Sequence, residues 1–79
     1  MNLMEALASA VRARRHELHL TQVQLSQLAG CGPVFVYALE RGKATLRLDK
    51  VLAVLQVLGL ELTLGLGKHG TGAKAKRVR

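Results

Sequence analysis

The sequence predicts a mainly α-helical domain, four short helices followed by one β-strand, on three observations. Apolar residues recur at three- and four-residue steps through four separate stretches. Glycines stand just past the ends of three of them (Gly30, Gly42 and Gly59), where a left-handed residue closes a helix. The period then drops to two over residues 60–66, where Leu60, Leu62, Leu64 and Leu66 alternate with Glu61, Thr63 and Gly65.

The first helix is expected over about residues 3–18, with Leu3, Leu7, Val11 and Leu18 on one stripe that Met4 and Ala8 widen. His19 follows in the position of a left-handed terminator. Thr21 is suited to cap the second helix, residues 22–29, because its hydroxyl can accept from an unpaired first-turn amide. Pro33 opens the third helix, where its missing N–H would have no partner in any case, and Gly42 closes it. The fourth helix, about residues 48–58, is expected to turn Leu48, Val51, Leu52, Leu55 and Leu58 inward. Arg47 is a poor cap for it, although Asp49 suits the positive end of the helix dipole.

The period-two run has no evident partner strand, and a lone strand leaves its amides and carbonyls unpaired. Antiparallel pairing with the same strand of a second copy would satisfy them and make Leu60, Leu62, Leu64 and Leu66 dimerisation residues. The alternative is an extended segment lying over the monomer's own core. The chain thus divides into a folded unit, residues 1–66 with the strand at about 60–66, and a basic tail, residues 67–79, expected to be disordered. The folded unit carries seven Lys/Arg against five Asp/Glu, whereas the tail carries five Lys/Arg and no acid. Of the net charge of +7, most therefore lies in the tail, which either contacts phosphates or serves as a solvated arm.

Other classes are excluded on composition and spacing. Seventy-nine residues make one domain, and no apolar run reaches the ~20 residues of a membrane span. The N-terminus lacks the basic-then-apolar order of a secretory signal. A single cysteine, Cys31, rules out an internal disulfide and fits a reducing cytoplasm; its place in the turn suggests core rather than a reactive thiol. The five acids are scattered singly and no Ser/His/Asp grouping emerges, so neither catalysis nor a cofactor is expected. Residues 65–70 fit G-x-G-x-x-G, but a dinucleotide fold needs a helix and further strands, and nine residues remain after Gly70. His16 and His19 lack a third ligand, so no metal is expected either.

Two helices joined by a short glycine turn inside a bundle form a helix-turn-helix, which makes specific packing demands. Ser26 is small where the second helix must approach closely, Gly30 lies at the turn, and Leu25, Ala29, Cys31, Val36 and Leu39 can share a core. At these residues the chain resembles the Xre/Cro family of lambda-repressor-like DNA-binding domains, over about residues 7–60. LTQVQLSQLAG looks like that family's second helix, and LERGKATLRLDKVLAVLQVLGLEL like its passage from the third helix into the fourth. Arg15 and Glu40 match a family ion pair tying the first helix to the third. The strand after the fourth helix is similar to that of HipB-like antitoxins, where it pairs across the dimer. The resemblance implies a cytoplasmic bacterial antitoxin, a homodimer that binds double-stranded operator DNA, represses its own operon, and holds a HipA-like serine/threonine kinase toxin. A stand-alone phage- or plasmid-type repressor, and an interaction module that neutralises a toxin without reading DNA, are the alternatives.

The resemblance also puts Gln22 against a phosphate through its side chain and backbone amide, at a helix end that favours negative charge. Arg41 and Lys43, with Arg47 beyond them, are placed for backbone contacts that supply affinity and register. The outward positions of the third helix are Gly32, Pro33, Val34, Tyr37, Ala38 and Arg41. Family members usually carry amide, hydroxyl or cationic side chains at several of these, because such groups read base edges. Pro33, Val34 and Ala38 cannot form hydrogen bonds through their side chains. Three readings follow: contact with thymine methyl groups helped by Tyr37 and Arg41, specificity from dimer spacing and DNA deformability, or a helix turned over to protein binding.

Overall fold

The computed structural model describes residues 2–65 and the strand at 72–77. Its elements are α1 (Leu3–Glu17), α2 (Gln22–Ala29), α3 (Pro33–Glu40), α4 (Leu48–Leu58), β1 (Leu60–Gly65) and β2 (Gly72–Arg77). None of the helices is long and apolar enough to cross a membrane.

Local chemistry accounts for where the helices begin and end. Asn2 Oδ1 accepts from the Glu5 amide at 2.9 Å and starts α1. His19 then takes φ 57°, the left-handed residue expected after that helix. Thr21 and Gln24 form a reciprocal capping box: the Gln24 amide donates to Thr21 Oγ1 at 3.0 Å, and the Thr21 amide donates to Gln24 Oε1 at 2.9 Å. Gly30 (φ 71°) and Gly59 (φ 68°) end α2 and α4 in the left-handed region, as their positions predict. Neither α3 nor α4 has a side-chain cap; α3 relies on Pro33 at its start.

The core is assembled from all four helices: Leu7 and Val11, Leu25, Val36 and Leu39, then Val51, Val54, Leu55 and Leu58. Each side chain of this kind contributes about 1.5–3 kcal/mol when fully buried. Ala29, Cys31 and Phe35 are half-buried against the cluster. α2 packs on both α3 and α4, and α1 packs on α3. The helix-turn-helix pair therefore sits on a platform made by α1 and α4.

Three expectations are corrected. Leu48 and Leu52, expected inward, are 60% and 45% exposed, and Val54 is buried instead. With Val54 turned inward, α4 packs on α2 and also meets β1. Leu3 and Leu18 likewise lie outside the buried arc of α1, which is Leu7, Ala8 and Val11.

The third correction concerns the strand. β1 has a partner in its own chain: it pairs antiparallel with β2, in a register that sets Leu62 opposite Ala75 and Leu64 opposite Ala73. Residues 72–77, expected to be part of a disordered tail, satisfy the backbone groups that a lone strand would strand. The apolar face of β1 is also used within the monomer, since Leu60 and Leu62 pack on the core. Leu64 is 80% exposed, and Leu66 lies outside the described residues. In this two-stranded sheet each strand keeps one outer edge.

Candidate nucleic-acid interface

α3 is held by its inner side and presents its outer side to solvent. Val36 and Leu39 are fully buried, and Glu40 is buried with them. The Glu40 carboxylate receives a bidentate clamp from α1: Arg15 Nε donates to Oε2 at 2.6 Å and Nη2 to Oε1 at 2.9 Å. The side chains are 12% and 3% exposed, so this is the interior ion pair that the sequence comparison of Arg15 with Glu40 anticipates. Arg15 Nη1 also donates to the Leu20 carbonyl at 2.9 Å, and Arg12 Nη1 reaches the Glu40 carbonyl at 3.2 Å. Three elements meet at one carboxylate, because Gln22 Nε2 at the start of α2 donates to Glu40 Oε1 at 3.2 Å.

That last bond changes the role of Gln22. Its side-chain amide, expected on a phosphate, is committed to Glu40 and ties α2 to α3.

The outward residues differ in how far they project. Gly32, Pro33 and Val34 are exposed, Val34 at 80%; Tyr37 is half exposed and Ala38 is half-buried. Arg41 folds back on Tyr37, its Nη1 donating to the Tyr37 hydroxyl at 2.8 Å with the guanidinium 5.3 Å from the ring centroid. Lys43 is exposed just past the helix. Arg47 pairs with Asp49 at 2.7 Å on the open surface and holds that carboxyl below the usual range through its hydrogen bond.

One cation was missed by sequence reasoning. Lys50, in the first turn of α4, stands 5.9 Å from the Phe35 ring centroid and electrostatically favours the Cys31 thiolate. It therefore lies at the N-terminal end of α3, opposite to Arg41 and Lys43. Its spacing from Phe35 in sequence gives no hint of this, since the contact depends on how α4 packs. Burial outweighs Lys50 and pushes the Cys31 thiol up, which fits a turn residue packed on the core.

Comparison with known proteins bears on this arrangement. A protein-family model described as helix-turn-helix matches residues 11–64. Over 58 residues the chain is 41% identical to an uncharacterized HTH-type transcriptional regulator, y4mF, of Sinorhizobium fredii, a match covering 73% of this chain and 76% of that one. Two crystal structures of the clp gene regulator ClgR from Corynebacterium glutamicum are similar, each with TM-score 0.66 and 29% identity over 75% of this chain. The match covers 63% of the chain in one of these structures and 76% in the other, so this chain spans less than two thirds of the former.

Proposed function

The chain belongs to the helix-turn-helix family, and on that premise we propose that it is a DNA-binding transcriptional regulator that represses its own operon. One observation carries this reading: α3 is exposed along its outer side and flanked by cations, Lys50 at its start and Arg41 and Lys43 at its end. Eight residues of helix are about 12 Å long, close to the ~12 Å width of the major groove. A helix of that length lying across the groove brings its flanking cations near the two phosphate backbones.

The functional unit is a homodimer that sets two copies of α3 roughly 34–36 Å apart, one turn of the duplex. Supporting it are Leu48, Leu52 and Leu64, large apolar side chains that α4 and β1 leave exposed, and a shallow groove of about 340 Å³ between those two elements, lined by Leu52, Leu55, Leu60 and Leu62. The outer edge of β1 would add backbone pairing. The partner in the cell is a HipA-like serine/threonine kinase toxin, a reading that rests on the resemblance of the α4-to-strand passage to HipB-like antitoxins. A protein-interaction role without DNA reading is favoured by a different fact, the apolar character of the exposed α3 face.

A mobility-shift titration on DNA from upstream of the protein's own reading frame tests the central claim. Binding should be evident at ~50 mM salt and should fall linearly on a log–log plot as salt rises, with a slope of about −0.9 per phosphate contact. Absence of any shift at that salt would leave only the protein-interaction reading. Co-purification with a kinase-like chain from an adjacent reading frame separates the antitoxin from a stand-alone repressor.

A further inference from the structure

Resting on that DNA-binding reading, we propose that the outer face of α3 recognises the C5-methyl groups of thymine and accepts 5-methylcytosine in their place. Pro33, Val34 and Ala38 offer carbon only. The polar groups on the face are engaged with each other, because the Tyr37 hydroxyl accepts from Arg41 Nη1 and the guanidinium lies against the tyrosine ring. Beside the remaining N–H groups of Arg41 and the Tyr37 O–H, what the face presents to a partner is a branched aliphatic group, a proline ring, a methyl and one aromatic edge. In the major groove the thymine C5-methyl is the apolar feature such a surface can meet, while every other base-edge group there needs a hydrogen-bond partner.

Charge placement supports duplex DNA as the occupant of this face rather than a second copy of the chain. Cations flank both ends of α3, and the nearest acid, Glu40, is buried and neutralised by Arg15. Val34 and Ala38 are four residues apart, one helical turn, or about 6 Å along the axis. At that separation they address two different methyl groups rather than one. Cytosine methylated at C5 places the same methyl at the same ring position, so a methylated cytosine should substitute for thymine where a plain cytosine does not.

The experiment selects duplexes from a random pool by binding to the full chain at low salt, then resynthesises them with uracil for thymine. Base pairing is preserved and only the methyl is lost. Affinity should fall about three- to fivefold for each contacted methyl, the scale expected for one buried methyl-sized group. At the same positions 5-methylcytosine should bind more tightly than cytosine by a similar factor. Val34→Ser should bring the thymine-to-uracil ratio close to one at the position Val34 contacts, with the helical circular-dichroism signal retained. Val34→Ala, a smaller change at a solvent-facing position, should lower the ratio part of the way. Equal binding of thymine and uracil duplexes would overturn the methyl reading while leaving DNA binding intact. Retention of no duplex at all would overturn the DNA-binding reading, and this one with it.

Discussion

Every helix of this protein leaves some large apolar side chain in solvent, and α3 and α4 do so in different surroundings. α3 exposes Val34 and half of Tyr37 between Lys50 at one end and Arg41 and Lys43 at the other. α4 exposes Leu48 and Leu52 beside an apolar groove; at its start Arg47 and Asp49 pair with each other, while Lys50 stands over the Phe35 ring of α3. An exposed aliphatic side chain by itself says nothing about what it will meet. Cations that lie over aromatic rings, as Arg41 and Lys50 do, favour a polyanion on α3, whereas an apolar groove favours protein on α4.

The largest effect should come from the device that orients α3. Glu40→Ala removes the acceptor of a buried bidentate pair and leaves Arg15 uncompensated, at a cost of about 3–5 kcal/mol. For a domain whose whole stability is of order 5–15 kcal/mol, urea titration should show a midpoint displaced to low denaturant, with both faces lost together. A crossed pair of substitutions then separates the faces. Val34→Asp should weaken DNA binding about 10–100-fold with elution volume unchanged, and Leu52→Asp should convert a dimer to a monomer on size exclusion. If both variants change the same readout, the two surfaces are one interface. The smallest effect concerns the scaffold beneath them. Thr21→Ala deletes half of the capping box and should remove about 1 kcal/mol, read as a fall in Tm of about 4–8 °C with dimer elution preserved.

What could be read from the sequence was governed by neighbours within a few residues. Thr21 with Gln24, Gly30, His19, Pro33 and Gly59 are local instructions, and the bounds of α2 and α4 follow from them. The face of α4 was not legible in this way. Val51, Leu55 and Leu58 are buried whichever side the stripe extends, but the choice of Val54 over Leu52 depends on where α2 and β1 lie in space. β2 was hidden because Ala73-Lys74-Ala75-Lys76 reads as a basic tail by composition, although its two-residue alternation matches β1 in register. Its apolar members are only methyl groups, too weak a signal to outweigh the charge. Gln22 shows the same limit at the candidate site. A helix-start glutamine is compatible with a phosphate contact, and only the long-range approach of Glu40 turns it into a strut between α2 and α3.

The Glu40 clamp has an evolutionary corollary. Val36, Leu39 and Glu40 anchor α3 from below, so Val34 and Tyr37 on its upper surface owe little to folding. Lineages could exchange Val34 or Tyr37 freely, acquiring a fresh target without jeopardising the scaffold. Retargeting such a domain, by selection or in the laboratory, should need only a handful of codons along one short helix.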